Sequence, residues 1–252
     1  MQPVSDPKPS QFTLRHCFAV VTAIALVFSA IFYVISMRDE ALRRERHNRC
    51  VTNLKLIGLA LLSYHDSYDA FPPPYVTDAQ GKPLYSWRVL ILPYLEQLDL
   101  YSQWRCDEPW DSPHNRRLSD SIRSVYQCPV ANRNRSLGSP PYTDYLAVVG
   151  SGMAWEDGKR LSLDDFADGT SNTIMVVEVR DSQIHWAEPV DLDGTASLKI
   201  NARRGLSIGS HHSGGANVVF ADSSVAHLPE TRSEEEIKAL LTPSGGEKVN
   251  WE

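Results

Sequence analysis

Three histidines and an aspartate lie close together in the C-terminal part of the sequence, where they could hold a metal ion. They are His211, His212, Asp222 and His227. Imidazole and carboxylate groups are ordinary zinc ligands, and a predicted hairpin would bring two or three of these side chains together. Their spacing matches no established metal motif. We favour the interpretation that His212 hydrogen-bonds the turn at Asp222 and fixes the register of the hairpin, and the metal site is the alternative.

A serine in the same region formally matches a hydrolase motif. Ser207 stands in GLSIG, a G-x-S-x-G pattern, and Asp222 and His227 follow in the order of α/β-hydrolases. In those enzymes the serine lies on a sharp turn between a strand and a helix. Here the next residues are SHHSGG, which disfavour a helix and lead into a predicted strand. We therefore interpret this segment as a loop and expect no catalytic centre.

An acidic segment upstream raises the question of calcium binding. Asp164, Asp165 and Asp168 precede Gly169, but an EF-hand loop needs oxygen ligands at alternate positions, and Phe166 occupies the middle one. The sequence DGTSNT, which begins at Asp168, is better interpreted as a turn whose short polar side chains bond the backbone.

Glu178 is unusual because it lies in the apolar, β-branched run TIMVVEVR, which predicts a central strand over residues 173–180. A carboxylate in such a strand must point outward or find a partner. We expect a charged partner, such as an arginine, rather than catalysis.

Large aromatic residues are abundant for a chain of this length. Those singled out are Trp87, Tyr94, Trp104, Trp110, Trp155 and Trp186. Core packing or interface anchoring explains them, and the alternative is a face that binds carbohydrate or peptide.

The element that dominates the sequence is an uncharged apolar block over residues 17–36. A bilayer core of about 30 Å needs about 20 apolar residues in a helix, so this block predicts one membrane span. Apolar residues continue at helical spacing from Val51 to Tyr68, before the prolines at 72–74. The simplest prediction is one helix over residues 13–68. The alternative is a cleaved secretory signal, although the block is long for one.

Composition narrows the function classes. The net charge of -6 and a pI near 5.8 argue against nucleic-acid binding. Cys17 lies in the predicted span, and one disulfide can form among Cys50, Cys106 and Cys128 if the domain lies outside the cytoplasm; the pairing stays open. We expect no cofactor.

The remaining segments predict a mixed fold. We expect a Pro-rich loop over 71–83, a short helix broken by Pro93, and loops over 107–115 and 131–143. Strands are predicted over 145–149, 216–220 and 225–228, and Ser233 with Glu236 predicts a capped final helix. The fold class is α+β, with a disordered tail over 1–10, a helix over 11–70 packed on an antiparallel sheet, and a globular domain over 71–252.

Seven ordered stretches resemble a prepilin-like, pseudopilin-related family of single-span proteins of unknown function, which carries a C-terminal His-x9-Asp-Gly signature. The stretches are RCVTNLKLIGLALLSYHDSYDAFPP, SWRVLILPYLEQ, DEPWDSPHN, YQCPV, DGTSNTIMVVE, HSGGANVVFADSSV and TPSGGE. The resemblance extends over residues 12–247 and implies a pilin-like fold. The family-motif positions, whose role is unknown, are His212, Asp222, Ser223, Asp168, Thr170, Asn172, Glu178, Trp87, Pro93, Tyr94 and Glu96.

Three positions depart from the family pattern. Gln11 replaces the glycine before the prepilin cleavage point, and His16 replaces the glutamate that follows it, which argues against processing by a prepilin peptidase and against incorporation into a pilus. Ser223 stands where the signature has glycine, so the turn there must avoid positive φ or tolerate it at some strain.

Orientation and function follow as expectations. Basic residues are more numerous after the span than before it, which favours a cytoplasmic domain, whereas the resemblance implies an extracytoplasmic one, and we follow the resemblance. We expect a membrane-anchored, pilin-like cell-envelope protein with a structural or interaction role, which contacts lipid through residues 17–36 and associates with itself or with envelope proteins. The alternative is a membrane-tethered ligand- or metal-binding module that uses the hairpin of His212 and Asp222.

Overall fold

A computed structural model of the chain describes residues 14–120, 125–130, 139–203 and 205–247. The predicted tail over 1–10, Gln11 and most of the predicted loop over 131–143 lie outside the described residues. The helices are α1 (Leu14–Tyr68), α2 (Trp87–Leu90), α3 (Leu98–Gln103), α4 (Pro113–Ser119) and α5 (Glu234–Ala239). The strands are β1 (Tyr75–Thr77), β2 (Pro83–Ser86), β3 (Tyr145–Leu146), β4 (Val148–Val149), β5 (Ile174–Glu178), β6 (Leu192–Asp193), β7 (Gly215–Phe220) and β8 (Val225–Pro229).

The chain divides into two compact units, one ending at Glu45 and the other beginning at Arg46. Within the first unit, the large apolar side chains from Phe18 to Met37 are about half exposed or more. Among the described residues, one helix is long and apolar enough to cross a membrane. The predicted boundary between a helical segment and a globular domain at residue 70 stays a prediction.

The second unit is built around a four-stranded antiparallel sheet with the order β3-β5-β7-β8. Val177 of β5 pairs with Val218 of β7, and Asn217 of β7 pairs with His227 of β8. A two-stranded ladder of β1 and β2 is also antiparallel, whereas β4 and β6 form a short parallel pair. The long N-terminal helix and the antiparallel sheets confirm the predicted α+β class.

One face of this sheet is covered by the C-terminal part of α1. The buried positions of the helix recur at helical spacing and include Cys50, Leu54, Ile57 and Leu61, while Tyr68, which the sequence pattern places on the same face, is exposed. Gly58 allows the close approach, because a methyl group there would lie 2.7 Å from Val219 Cγ2 on the sheet.

The opposite face of the sheet packs against a second apolar cluster. This cluster combines Ile174 and Val177 of β5 and alternate residues of β7 with α5 and the segment that precedes β7. Every residue of β5 is buried, as expected of a central strand covered on both faces. The predicted capping box of Ser233 and Glu236 is present at the start of α5.

Two local predictions need correction. The Pro-rich segment over 71–83 is not all loop, because β1 and β2 pair across a turn in which the Asp78 carboxylate accepts from the backbone N–H groups of Gln80 and Lys82. The predicted loop over 107–115 ends early, since Ser112 caps α4 and Pro113 occupies its first turn.

The predicted strand over 145–149 is divided. Ala147 separates β3 from β4, and its N–H donates to the Asp191 carboxylate rather than to a neighbouring strand. The other predicted strands are confirmed with small shifts at their ends. Pro93 interrupts helical structure as predicted, and it lies in a 3-10 turn between α2 and α3.

A buried ion pair fixes the loop between Trp186 and Asp191. The Arg88 side chain is fully buried; its Nη1 donates to Asp191 Oδ1 at 2.6 Å and its Nε to the Trp186 carbonyl at 2.7 Å. Its Nη2 donates to the carbonyls of Glu188 and Val190. One guanidinium therefore holds four acceptors of this loop.

Candidate functional site

A disulfide within the second unit joins the C-terminal part of α1 to the segment after α4 and forms the centre of the candidate site. Cys50 of α1 is bonded to Cys128, 78 positions later, and both residues are buried. Cys106 is the free cysteine of the second unit and is exposed. This result resolves the pairing that the sequence left open.

Glu178 and His212 lie next to this disulfide. Nε2 of His212 is 3.6 Å from Cys128 Sγ and 3.6 Å from Glu178 Oε1. Glu178 is two positions after Val176, which packs in the cluster beneath α1, so strand alternation directs the carboxylate to the same face. One potential ligand atom from each of the two cysteines, Glu178 and His212 lies within 4.8 Å of the others.

Only one of the two oxygens of the Glu178 carboxyl group accepts a hydrogen bond from the described residues. Its Oε2 accepts a hydrogen bond of 2.8 Å from the Asn217 N–H, while its Oε1 is buried and accepts no hydrogen bond from the described residues. The prediction of a charged partner such as an arginine is therefore wrong: the partners are a backbone amide and an imidazole.

Burial holds both groups in their neutral forms. It raises the pKa of Glu178 to about 8, with the Asp144 carboxylate adding to the rise. Burial, together with the neighbouring histidines His47 and His227, lowers the pKa of His212 to about 4. The site at neutral pH therefore contains a protonated carboxyl beside a neutral imidazole.

Two further histidines border the site. The ring of His47, from α1, meets the His212 ring edge-on at 4.6 Å between centroids. His227 is a residue of β8, and its Nδ1 lies 3.3 Å from Oδ1 of Asn217. Its ring centroid is 6.3 Å from that of His47.

The predicted grouping of His211, His212, Asp222 and His227 is not observed. His211 pairs with Asp181 instead. The Asp222 carboxylate accepts from the N–H and hydroxyl of Ser224 within its own turn. The expected hydrogen bond between His212 and the Asp222 turn is therefore wrong, because His212 is turned toward the disulfide.

The turn at Asp222 shows how a serine is accommodated where the resemblance implies a glycine. Ser223 has a φ of 67°, which glycine would adopt without strain. Its N–H donates to the Phe220 carbonyl, and the Asp222 N–H donates to the Thr170 carbonyl. Ser223 thus tolerates the left-handed conformation rather than avoiding it.

Other family-motif positions form turns that connect the motifs. The Asp168 carboxylate accepts from the N–H groups of Gly245 and Gly246, so DGTSNT binds TPSGGE. Asn172 donates to the Asp168 carbonyl. The interpretation of this segment as a turn is confirmed. The Asp165 carboxylate is used separately: it accepts from the N–H and hydroxyl of Ser162, the N-cap residue of a short 3-10 turn.

The aromatic motif positions lie in or against the core. Trp87 is fully buried beside Trp155, with 5.2 Å between ring centroids, and its Nε1 donates to Asp191. Tyr94 packs against Tyr64 of α1. Glu96 ends the 3-10 turn of Pro93 in a left-handed conformation, with a φ of 59°.

Ser207 lacks the setting of a hydrolase nucleophile. The segment from Gly205 to Gly214 contains no helix, and Ile208 makes an isolated bridge to Val179. The interpretation of this segment as a loop entering the hairpin is confirmed.

We expect Glu178→Gln to change the pH dependence of stability. A carboxyl whose folded pKa lies above its unfolded value stabilises the fold at low pH, and this contribution is lost as pH rises from about 4.5 toward about 8. Relative to the wild type, the variant should gain about 2.5 kcal/mol in free energy of unfolding between about pH 5 and pH 7.

Thermal unfolding of both proteins across this pH range measures the difference. The amide of the variant keeps an oxygen for the Asn217 N–H, so the comparison isolates the ionisation. Glu235→Gln, at an exposed position of α5, is the control. A variant that follows the wild type at every pH would show that Glu178 is ionised without cost.

Sequence reasoning left the cysteine pairing open and did not connect Cys50, Cys128 or His47 with the site. The available signals were weak: Cys50 falls on the buried spacing of α1, and Cys50 and Cys128 each stand in a stretch that resembles the family. His47 lies one helical turn before Cys50, in a segment rich in charged residues, a pattern typical of a solvated helix face.

Comparison with known proteins places the chain in a family without a described activity. The family model described as "Protein of unknown function (DUF1559)" matches residues 40–197, which include α1 from Glu40, Cys50, Cys128 and Glu178. No curated protein matches the chain, and no solved structure matches it. Because the match covers more than half of the sequence, the chain belongs to the DUF1559 family.

Proposed function

We propose that the protein is a membrane-anchored, pilin-like component of the cell envelope. Residues 17–36 hold it in the bilayer, and the globular domain lies outside the cytoplasm. Its role is structural or interactive rather than enzymatic, and its partners are further copies of itself or other envelope proteins.

The exposed apolar helix carries this proposal. From Phe18 to Met37 the side chains are almost all apolar and open to the surroundings. In water such a continuous surface is far larger than soluble proteins tolerate. In a bilayer this apolar surface is stable, because the helix satisfies its backbone hydrogen-bonding groups internally and its side chains contact hydrocarbon.

The disulfide supports the extracytoplasmic placement. Disulfides persist in oxidising compartments and are rare in the cytoplasm. The Cys50–Cys128 bond therefore favours the orientation that the family resemblance implies over the one that the basic residues after the span favour.

Three of the family-motif positions, Asp168, Asn172 and Trp87, support a structural role. Asp168 and Asn172 stabilise turns, and Trp87 packs in the core. Their hydrogen-bonding groups bond the protein itself, which leaves them little capacity for a substrate.

Membrane extraction tests the anchor. The full-length protein should sediment with membranes, resist alkaline carbonate, and dissolve in detergent. Leu26→Arg with Val27→Arg puts two charges at the centre of the span, and each raises the free energy of membrane insertion by about 3 kcal/mol. The variant should move to the supernatant or fail to accumulate.

A matched control is available on the same helix. Leu56→Arg with Leu59→Arg adds the same charges at exposed positions of α1 in the second unit and should leave the protein in the membrane pellet. Intact wild-type protein in the carbonate supernatant would contradict the anchor. A strictly monomeric protein after crosslinking in membranes would contradict self-association.

A further inference from the structure

We propose that reduction of the Cys50–Cys128 disulfide creates a Zn²⁺ site at the centre of the candidate site. The four ligands are Cys50, Cys128, Glu178 and His212. The inference is independent of the membrane anchor, since it rests on the second unit alone.

The distances fit a tetrahedral ion once the sulfurs separate. With Zn–S of about 2.3 Å and Zn–N of about 2.0 Å, a sulfur and a nitrogen on one tetrahedral ion lie about 3.5 Å apart. The distance from Cys128 Sγ to His212 Nε2 is already 3.6 Å, and Nε2 is 3.6 Å from Glu178 Oε1. The cysteine Cα atoms are 5.3 Å apart, so side-chain rotation alone can open the sulfurs to about 3.8 Å.

The Glu178 side chain points to a missing ligand. It is 1 % exposed, its Oε1 faces His212, and that oxygen accepts no hydrogen bond from the described residues. A buried carboxyl oxygen without a hydrogen-bond partner is costly in a protein interior, whether the group is neutral or ionised. A cation bound between the two side chains would supply the missing partner.

The donor set selects the class of metal. Two thiolates with an imidazole and a carboxylate favour a borderline-soft ion with tetrahedral geometry, and Zn²⁺ fits this combination better than the hard cations Mg²⁺ and Ca²⁺. The ring of His47 packs edge-on against His212 and restricts the orientation of the ligand.

Formation of the metal site requires a reductant of the dithiol class. Two electrons and two protons from the dithiol convert the Cys50–Cys128 bond into two thiols, while the dithiol becomes a disulfide. Zn²⁺ then displaces the two thiol protons and the Glu178 proton. The oxidised protein has no thiolates to offer, so the disulfide and the metal site exclude each other.

Cobalt binding tests the proposal on the full-length protein in detergent. Co²⁺ alone is titrated into the oxidised protein and into protein reduced anaerobically with a phosphine. The reduced protein should bind one Co²⁺ per chain, with thiolate-to-cobalt charge-transfer and tetrahedral d–d bands that Zn²⁺ abolishes. The oxidised protein should show neither band.

Variants that keep the disulfide provide matched comparisons, because they can be purified in the oxidised form before reduction. His212→Ala and Glu178→Gln should each weaken Co²⁺ binding by roughly tenfold or more. His211→Ala removes the adjacent histidine, which pairs with Asp181, and should bind like the wild type. Cys106→Ser should also retain the site.

Three results would overturn the proposal. One is equal Co²⁺ binding by oxidised and reduced protein, another is no binding by the reduced protein, and the third is loss of the bands in Cys106→Ser with retention in His212→Ala. Near-UV circular dichroism monitors the fold: a signal lost on reduction and restored by Co²⁺ supports the site, and one that Co²⁺ does not restore contradicts it.

Discussion

Replacing Arg88 with methionine is expected to lower the free energy of unfolding by about 4 kcal/mol. The variant leaves the buried Asp191 carboxylate without its cation and deprives the carbonyls of Trp186, Glu188 and Val190 of donors. The predicted consequence is a fall in Tm of roughly 10 °C, measured by the near-UV circular dichroism of the buried tryptophans in the full-length protein in detergent.

Two variants separate the buried pair from a general loss of charge. Arg105→Met removes an arginine that pairs with Glu108 at the surface, and it should have little effect. Arg88→Met combined with Asp191→Leu removes both charges and should recover part of the loss. If Arg88→Met were no more harmful than Arg105→Met, the ion pair would not hold the loop.

Removing the disulfide is the second large change. The double variant Cys50→Ala, Cys128→Ala opens a loop that spans 78 positions, and the chain-entropy model gives a loss of about 4.5 kcal/mol in free energy of unfolding. The loop contains α2, α3 and α4 together with β1 and β2, so its opening frees the segment that covers α1.

Thermal unfolding of the double variant beside Cys106→Ser measures this contribution. Cys106 is exposed and unpaired as a thiol, so its replacement should leave Tm nearly unchanged. A reducing agent should lower the Tm of the wild type and leave that of the double variant unchanged. Equal stability of the double variant and the wild type would show that the disulfide does not stabilise the fold.

The parts of the fold that could be predicted are those with a strong local pattern. The apolar block, the β-branched run before Arg180 and the capping box at Ser233 each specify their element through periodicity or capping chemistry. The hairpin of β1 and β2 was missed because short strands in a Pro-rich segment lack such a pattern, and Tyr68 was misplaced because the buried face of α1 is set by the sheet.

The candidate site could be predicted only in part. His212 and Glu178 were recognisable as unusual residues, but the partners that define their chemistry are distant in sequence. Cys50 and Cys128 come from different parts of the chain, and only the packing of α1 on the sheet brings them to β5. The prediction that Asp222 belongs to the site was wrong because an aspartate in a tight turn is satisfied by its own backbone neighbours.

The central claim is an anchored protein whose folded domain lies outside the cytoplasm, and Cys106 reports on it directly. It is the exposed free thiol of the second unit, whereas Cys50 and Cys128 are bonded to each other. A membrane-impermeant maleimide is applied to cells whose outer layers have been removed and whose cytoplasmic membrane is intact. The Cys106→Ser variant is the blank. The account predicts that the wild-type protein is labelled before lysis and that the Cys106→Ser variant is not. Labelling that appears only after the membrane is opened would contradict it.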